Sequence, residues 1–170
     1  MEKGYVQVYT GNGKGKTTAA IGLSTRAAGA GLKVSFIQFM KGQYTSELES
    51  FKKLGIEFYQ GGRPEFIIGK AKKEDIEAAE KTLELAKEKA TSGKYDVVVL
   101  DEVNVAIYLG LVSEEDILKL IEEKSDGTEL VLTGRYATQK IMDKADLVTE
   151  MREIKHYFNA GVQERVGIER

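Results

Sequence analysis

The chain has 170 residues, 42% of them hydrophobic, with 25 basic side chains against 27 acidic ones, a formal net charge of −2 and a pI near 5.7. That length suits one domain, 1–170, with a core of ordinary size, and that charge argues against the basic surface a nucleic-acid partner needs. Cysteine is absent and His156 is the lone histidine, which excludes disulfides, thiolate nucleophiles, cysteine-held zinc or iron–sulfur clusters and a His-rich metal site.

The N-terminal "MEKGYVQVYTG" enters a strand pattern directly, with no signal-peptide core. The longest obvious apolar block, Val97 to Leu100, is far too short to cross a bilayer. A cytoplasmic protein with no membrane partner is expected. Tyr5 to Tyr9 reads as a strand, and the Ala-rich Lys16 to Gly29 as a helix. "KVSFIQF" is the next strand. Ser46 followed by Glu49 has the spacing of a capping box and opens a short helix to about Leu54. "IEFY" is a strand, and "GGRPEFIIG", Gly61 to Gly69, a loop. Lys73 to Thr91 is a long helix with Ile76, Ala79, Leu83 and Ala86 on one face and Glu and Lys on the other. "YDVVVLDE" is a buried strand, and Ser113 with Asp116 caps the next helix. "ELVLTGR" is a strand, followed by a short helix and "ADLVTEM". Unbroken apolar runs such as VVVL belong in a parallel sheet covered on both faces. Strands alternating with helices predict an α/β, three-layer P-loop NTPase (RecA-like) fold with a mainly parallel sheet.

"YTGNGKGKTT" lies between the first strand and the first helix. Glycine lets a backbone turn sharply and bring its amides close to phosphate oxygens. The helix that follows adds the positive end of its dipole. Lys16 supplies a cation for the phosphate chain and Thr17 a hydroxyl for Mg²⁺. The consensus P-loop has glycine where this chain has Thr10, while Gly11 and Gly13 fall inside the loop and Lys14 adds a second cation. The loop is therefore a variant whose ligand can sit differently. Its partner is the acid pair ending "VVVLDE". Asp101 is expected to hold Mg²⁺ directly or through water, and Glu102 to join the metal shell or, in an ATPase, to polarise water. Arg135 follows another apolar strand. It either meets phosphate in the crevice at the strand ends or forms a surface ion pair.

Over nearly its whole length the sequence resembles the P-loop ATP:corrinoid adenosyltransferases. The likeness is carried in order by "TGNGKGKTTAA", "AAGAGLKV", "IQFMKG", "LGIEF", "VVVLDE", "TGR", "ADLVTEM" and "IKHYFNAGV". Threonine in place of the first loop glycine and the segment Lys155 to Gly161 are its most specific marks. The resemblance implies that reduced corrinoid, as Co(I), attacks the 5′ carbon of ATP, that triphosphate leaves, and that ATP lies in the loop in a reversed sense. It further implies that Gly11, Asn12, Gly13, Lys14, Gly15, Lys16, Thr17 and Thr18 hold the nucleotide, with Arg135 beside them. Lys14, Lys16 and Glu102 then act in catalysis, and Thr17, Asp101 and Glu102 serve the metal. A homodimer and a flavin-dependent reductase as electron source are implied as well.

This inventory suits a reaction whose nucleophile arrives with the corrinoid and needs no base. Many family members carry an extra N-terminal helix over the site; this sequence opens on the strand, so that cover is expected to be missing or supplied otherwise. They also carry a Phe–Thr–Trp stretch for corrin contact. Here that region is "GGRPEFIIGK", where Phe66 is expected to take part of the role. His156 is expected to hydrogen-bond within the C-terminal segment rather than ligate cobalt, and Tyr157 and Phe158 to pack. Competing readings are a P-loop ATPase or kinase that cleaves the β–γ bond and a non-catalytic nucleotide-dependent corrinoid carrier.

Overall fold

Val97–Asp101 is buried at every position, as an unbroken apolar run requires of a strand covered on both faces. This strand, β4, lies near the centre of the sheet in a computed structural model that describes residues 1–63, 67 and 71–169. In chain order the elements are β1 (Val6–Thr10), α1 (Lys16–Gly29), β2 (Val34–Gln38), α2 (Glu47–Leu54), β3 (Glu57–Gln60), α3 (Lys73–Thr91), β4, α4 (Val103–Tyr108), α5 (Glu114–Glu123), β5 (Glu129–Thr133), α6 (Gln139–Lys144) and β6 (Leu147–Glu150). A short 3₁₀ turn, Tyr157–Ala160, follows.

The six strands pair in the order β3-β2-β4-β5-β1-β6, and every pairing is parallel. The sheet is thus wholly, not mainly, parallel. Alternate residues of each strand serve opposite faces. Val8, Ile37, Leu100 and Leu132 pack with Leu83 and Ala86 of α3, Leu120 of α5 and Ile141 of α6. Tyr9, Phe36, Val99 and Val131 pack with Ala20 of α1 and Phe51 of α2. Phe36, Phe51 and Phe58 cluster with ring centroids 5.0–6.1 Å apart, anchoring α2 to the sheet edge. These layers match the predicted three-layer fold.

One local expectation fails. Ser46 stands at the N-cap of α2 but has helical backbone angles and makes no capping bond with its side chain, so no Ser46–Glu49 box forms. Half of such a box forms instead at α3, where Lys72 N donates to Asp75 Oδ2 at 2.9 Å while Asp75 N donates to the backbone carbonyl of Lys72 at 3.1 Å. α4 was not legible. "VNVAIY" was assigned no element; the chain turns at Glu102 and buries Val103, Asn104 and Ala106 as a helix. Tertiary burial overrides propensity there. The cap at Ser113 is as expected, its hydroxyl accepting from Asp116 N at 3.0 Å.

Because all strands run one way, their C-terminal ends share one edge. That edge carries the β1–α1 loop, the residues after β2, Asp101 and Glu102 after β4, and Gly134 and Arg135 after β5.

Candidate active site

The loop after β1 is pinned before any ligand is considered. Met151 N donates to Thr10 O at 2.8 Å, and Gly13 N donates to Met151 O at 2.7 Å. A Cβ on Gly11 would lie 2.4 Å from Met151 O, and one on Gly13 would lie 2.7 Å from the carbonyl carbon of Arg152. Gly11 and Gly15 also take positive φ, 95° and 124°. Here glycine answers to packing against the segment after β6 as well as to the approach of phosphate. Gly15 ends the loop as the N-cap of α1.

Lys16 is buried, and its Nζ donates to Gly11 O at 2.8 Å and Gly13 O at 2.7 Å. Burial lowers its pKa, the nearby Arg135 adds to that, and Glu102 and Asp101 oppose it. Lys14 reaches the other way. Its Nζ lies 3.4 Å from Ile168 O and 3.7 Å from a carboxylate oxygen of Glu169.

Asp101 is fully buried and surrounded by donors. Oδ1 accepts from Thr17 Oγ1 at 2.8 Å and Thr133 Oγ1 at 2.6 Å. Oδ2 accepts from Gln38 Nε2 at 3.0 Å and lies 3.3 Å from Lys41 Nζ. Glu102 differs sharply. Its backbone is left-handed, with φ 63°, and its N–H donates to Thr133 Oγ1 at 3.0 Å. Its side chain lines the cleft, and no hydrogen bond to its carboxylate is found among the described residues. Desolvation first and the charge of Asp101 second push its pKa up, while Lys41, Lys16 and Arg135 pull it down. A non-glycine residue held left-handed costs free energy, and such strain gathers at functional positions.

These groups border one cleft of about 670 Å³, a size that takes a nucleotide-sized ligand. Asn12, Gly13, Lys14, Gly15, Lys16, Thr17 and Thr18 line it, and so do Glu102 and Arg135. Gly11 sits beneath, contributing its carbonyl to Lys16. The expected site residues therefore converge, Asp101 from below through Thr17.

Sequence reasoning assigned no role to Gln38, Lys41, Thr133 and Asn104. Asn104 Nδ2 donates to Gly134 O at 3.5 Å, tying α4 to the turn that presents Arg135. The C-terminal segment was likewise not read as part of the site, yet His156, Glu164, Ile168 and Glu169 line the cleft. His156 Nδ1 accepts from Phe158 N at 3.0 Å, so the histidine does bond within that segment. Phe66 lies outside the described residues.

A glycine-rich loop of P-loop pattern between an interior parallel strand and its helix, with a buried acid on the next-but-one strand, defines a P-loop nucleotide-binding protein. The sequence profile of the ATP:corrinoid adenosyltransferase BtuR/CobO/CobP family matches residues 2–170. The chain is 34% identical over 169 residues to the corrinoid adenosyltransferase of Escherichia coli K12, covering 99% of this chain and 86% of that one. It is 38% identical over 173 residues to the corrinoid adenosyltransferase of a Sinorhizobium species, covering 99% and 81%, and 33% identical over 169 residues to corrinoid adenosyltransferase CobA of Salmonella typhimurium, covering 99% and 86%. The chain belongs to the ATP:corrinoid adenosyltransferase family, and its activity is transfer of the adenosyl group of ATP to a corrinoid.

Proposed function

We propose that this chain, as a single domain spanning 1–170, joins the 5′ carbon of ATP to the Co(I) centre of a reduced corrinoid and releases triphosphate. The observation that carries the reading is the placement of Lys16. A buried ammonium bonded, among the described residues, to loop carbonyls alone is a cation held ready for polyphosphate oxygens. No side chain need act as nucleophile, because the electron pair that forms the new bond belongs to cobalt. The C5′–O bond breaks, and its electrons leave with the triphosphate. What the protein must stabilise is the charge growing on that leaving group. Lys16, Lys14, the loop amides and Arg135 are the donors at hand. A single such donor is worth roughly 3 kcal/mol in other enzymes, and holding carbon and cobalt in line contributes more.

The donor set fits Mg²⁺. Among the described residues no group of three or more His, Cys, Asp or Glu forms a closed cage, and Mg²⁺ is commonly held by one or two protein oxygens plus substrate phosphates and water. Thr17 gives its proton to Asp101, which turns its lone pairs outward, and Glu102 faces the cleft. We assign Thr17 and Glu102 to the metal's inner contacts and Asp101 to orienting Thr17. Bound there, the ion would neutralise charge on the departing phosphates.

The exposed edge strand β6, with Leu147 and Val148 each more than two-fifths exposed, supports a homodimer, which sedimentation would test. We further place the enzyme in the cytoplasm, supplied with electrons by a flavin-dependent reductase. Among the described residues no helix is long and apolar enough to cross a membrane. The deciding experiment is anaerobic incubation with Mg·ATP and chemically reduced cobalamin. Triphosphate together with a light-sensitive alkylcobalamin is expected. ADP with orthophosphate would overturn the reading in favour of a P-loop ATPase, and binding of both without turnover in favour of a carrier.

A further inference from the structure

Lys41 follows β2, whose last residue, Gln38, is in register with Asp101. Its side chain is 35% exposed and lines the same cleft as Lys16 and Arg135. We propose that Lys41 is a further polyphosphate-binding cation, resting on Asp101 in the present arrangement and transferring to the phosphates when they enter the cleft. The proposal rests on the polyphosphate reading above and adds to it a residue and a charge exchange.

The Lys41 backbone is tightly packed, while its ammonium rests, among the described residues, on Asp101 alone. Met40 is left-handed, with φ 61°, which turns the chain toward the cleft immediately before Lys41. Gly62 N donates to Lys41 O at 3.0 Å. A Cβ on Gly62 would lie 2.2 Å from Met40 C, and a Cβ on Gly42 would lie 2.5 Å from Arg63 C. Two backbone strips are thus pressed together through glycines, and a lysine is seated on them. Only its flexible four-carbon stem remains adjustable.

Of the four donors on Asp101, Lys41 is the one the carboxylate can release. Its 3.3 Å separation is long for a charge-assisted hydrogen bond, and it shares Oδ2 with Gln38, which is closer at 3.0 Å. Gln38 is itself held by Gln60 Nε2 at 3.1 Å. Thr17, Thr133 and Gln38 would keep both oxygens satisfied after the ammonium moved. The incoming phosphates carry more negative charge than Lys14 and Lys16 can match, so a nearby ammonium shared with a buried carboxylate that three other donors already satisfy would be drawn to them.

The test is calorimetric binding of inorganic tripolyphosphate, with and without Mg²⁺, to the wild type, Lys41→Met, Lys41→Arg, Asp101→Asn and the double variant Lys41→Met/Asp101→Asn. Lys41→Met is expected to weaken binding about tenfold in both conditions, and Lys41→Arg to retain most of it. Asp101→Asn releases the ammonium and should tighten metal-free binding. The double variant, in which neither partner is left as an unpaired charge so that folding is protected, should stay weak. If the double variant binds as tightly as Asp101→Asn alone, Lys41 is only a counter-ion of Asp101 and the proposal is wrong. Lys16→Ala in parallel separates the two readings. Unchanged binding in Lys16→Ala would remove the loop as the phosphate site and both readings with it. Loss in Lys16→Ala with none in Lys41→Met would remove only the role of Lys41.

Discussion

Lys16 lies under the loop it belongs to, held by carbonyls of Gly11 and Gly13, whereas Lys14, in the same loop, points out to a carbonyl and a carboxylate of the C-terminal segment. The floor and the cover of one cleft are therefore held differently. In the floor, space is the constraint. A methyl on Gly13 would collide with the backbone of Met151 and Arg152. In the cover, Gly161 and Gly167 would meet nothing within 4 Å, and only their positive φ, 86° and 78°, favours glycine. The cover coheres through polar contacts around Glu169, which accepts from Tyr157 and Arg165, while Arg165 also stacks on the Tyr157 ring at 4.9 Å. Apolar side chains there are largely in solvent, Ile154 being 89% exposed. The floor is fixed by close backbone packing, whereas the cover is held by polar contacts near solvent.

That contrast orders the expected effects of mutation. Lys16→Ala should lower kcat by roughly 10²–10³ while the thermal midpoint changes little, because the lost contact is made to the leaving group. Retained turnover would take Lys16 out of the floor's chemistry. Gly13→Ala should cost roughly 1–3 kcal/mol of stability through overpacking against residues 151 and 152, read as a lowered Tm. The same change at Gly161 should cost only the strain of its backbone angle, about 1 kcal/mol. Equal losses at the two glycines would erase the distinction drawn here. Glu102→Gln should move the midpoint of a Mg²⁺ titration about tenfold upward, as loss of a close metal partner does elsewhere. An unmoved midpoint would shift the metal assignment back to Asp101.

The smallest effect belongs to the cover. Glu169→Gln should change ATP affinity by less than about threefold, since the cations it pairs with, Lys14 and Arg165, are 40% and 50% exposed and such contacts are weak. Hydrogen bonds from Arg165 and then Tyr157 hold the Glu169 carboxyl down at about 2. A depressed acid stabilises its folded contacts fully above its ordinary pKa and loses that contribution as pH falls toward the folded value. NMR titration of this carboxyl should therefore have its midpoint near 2. A midpoint in the usual glutamate range would mean that the cover is open in solution.

The alternation of apolar runs with capped helices was enough to indicate a three-layer, mainly parallel α/β architecture, and the order of glycines and lysines after β1 was enough to indicate the glycine-rich turn between β1 and α1. Both are local properties: a strand buried on two faces must be apolar throughout, and a loop that presents amides to an anion must be rich in glycine. Glu102 and Asp101 were legible as a pair but not as opposites. Only the fold decided that one is enclosed by Thr17, Thr133, Gln38 and Lys41 while the other is left-handed and faces the cleft. Lys41 and the Glu169 cover were invisible as site residues for the same reason. Lys41 meets Asp101 across 60 residues of chain and Lys14 meets Ile168 across 154, and such contacts exist only once the parallel strand ends are brought to a common edge.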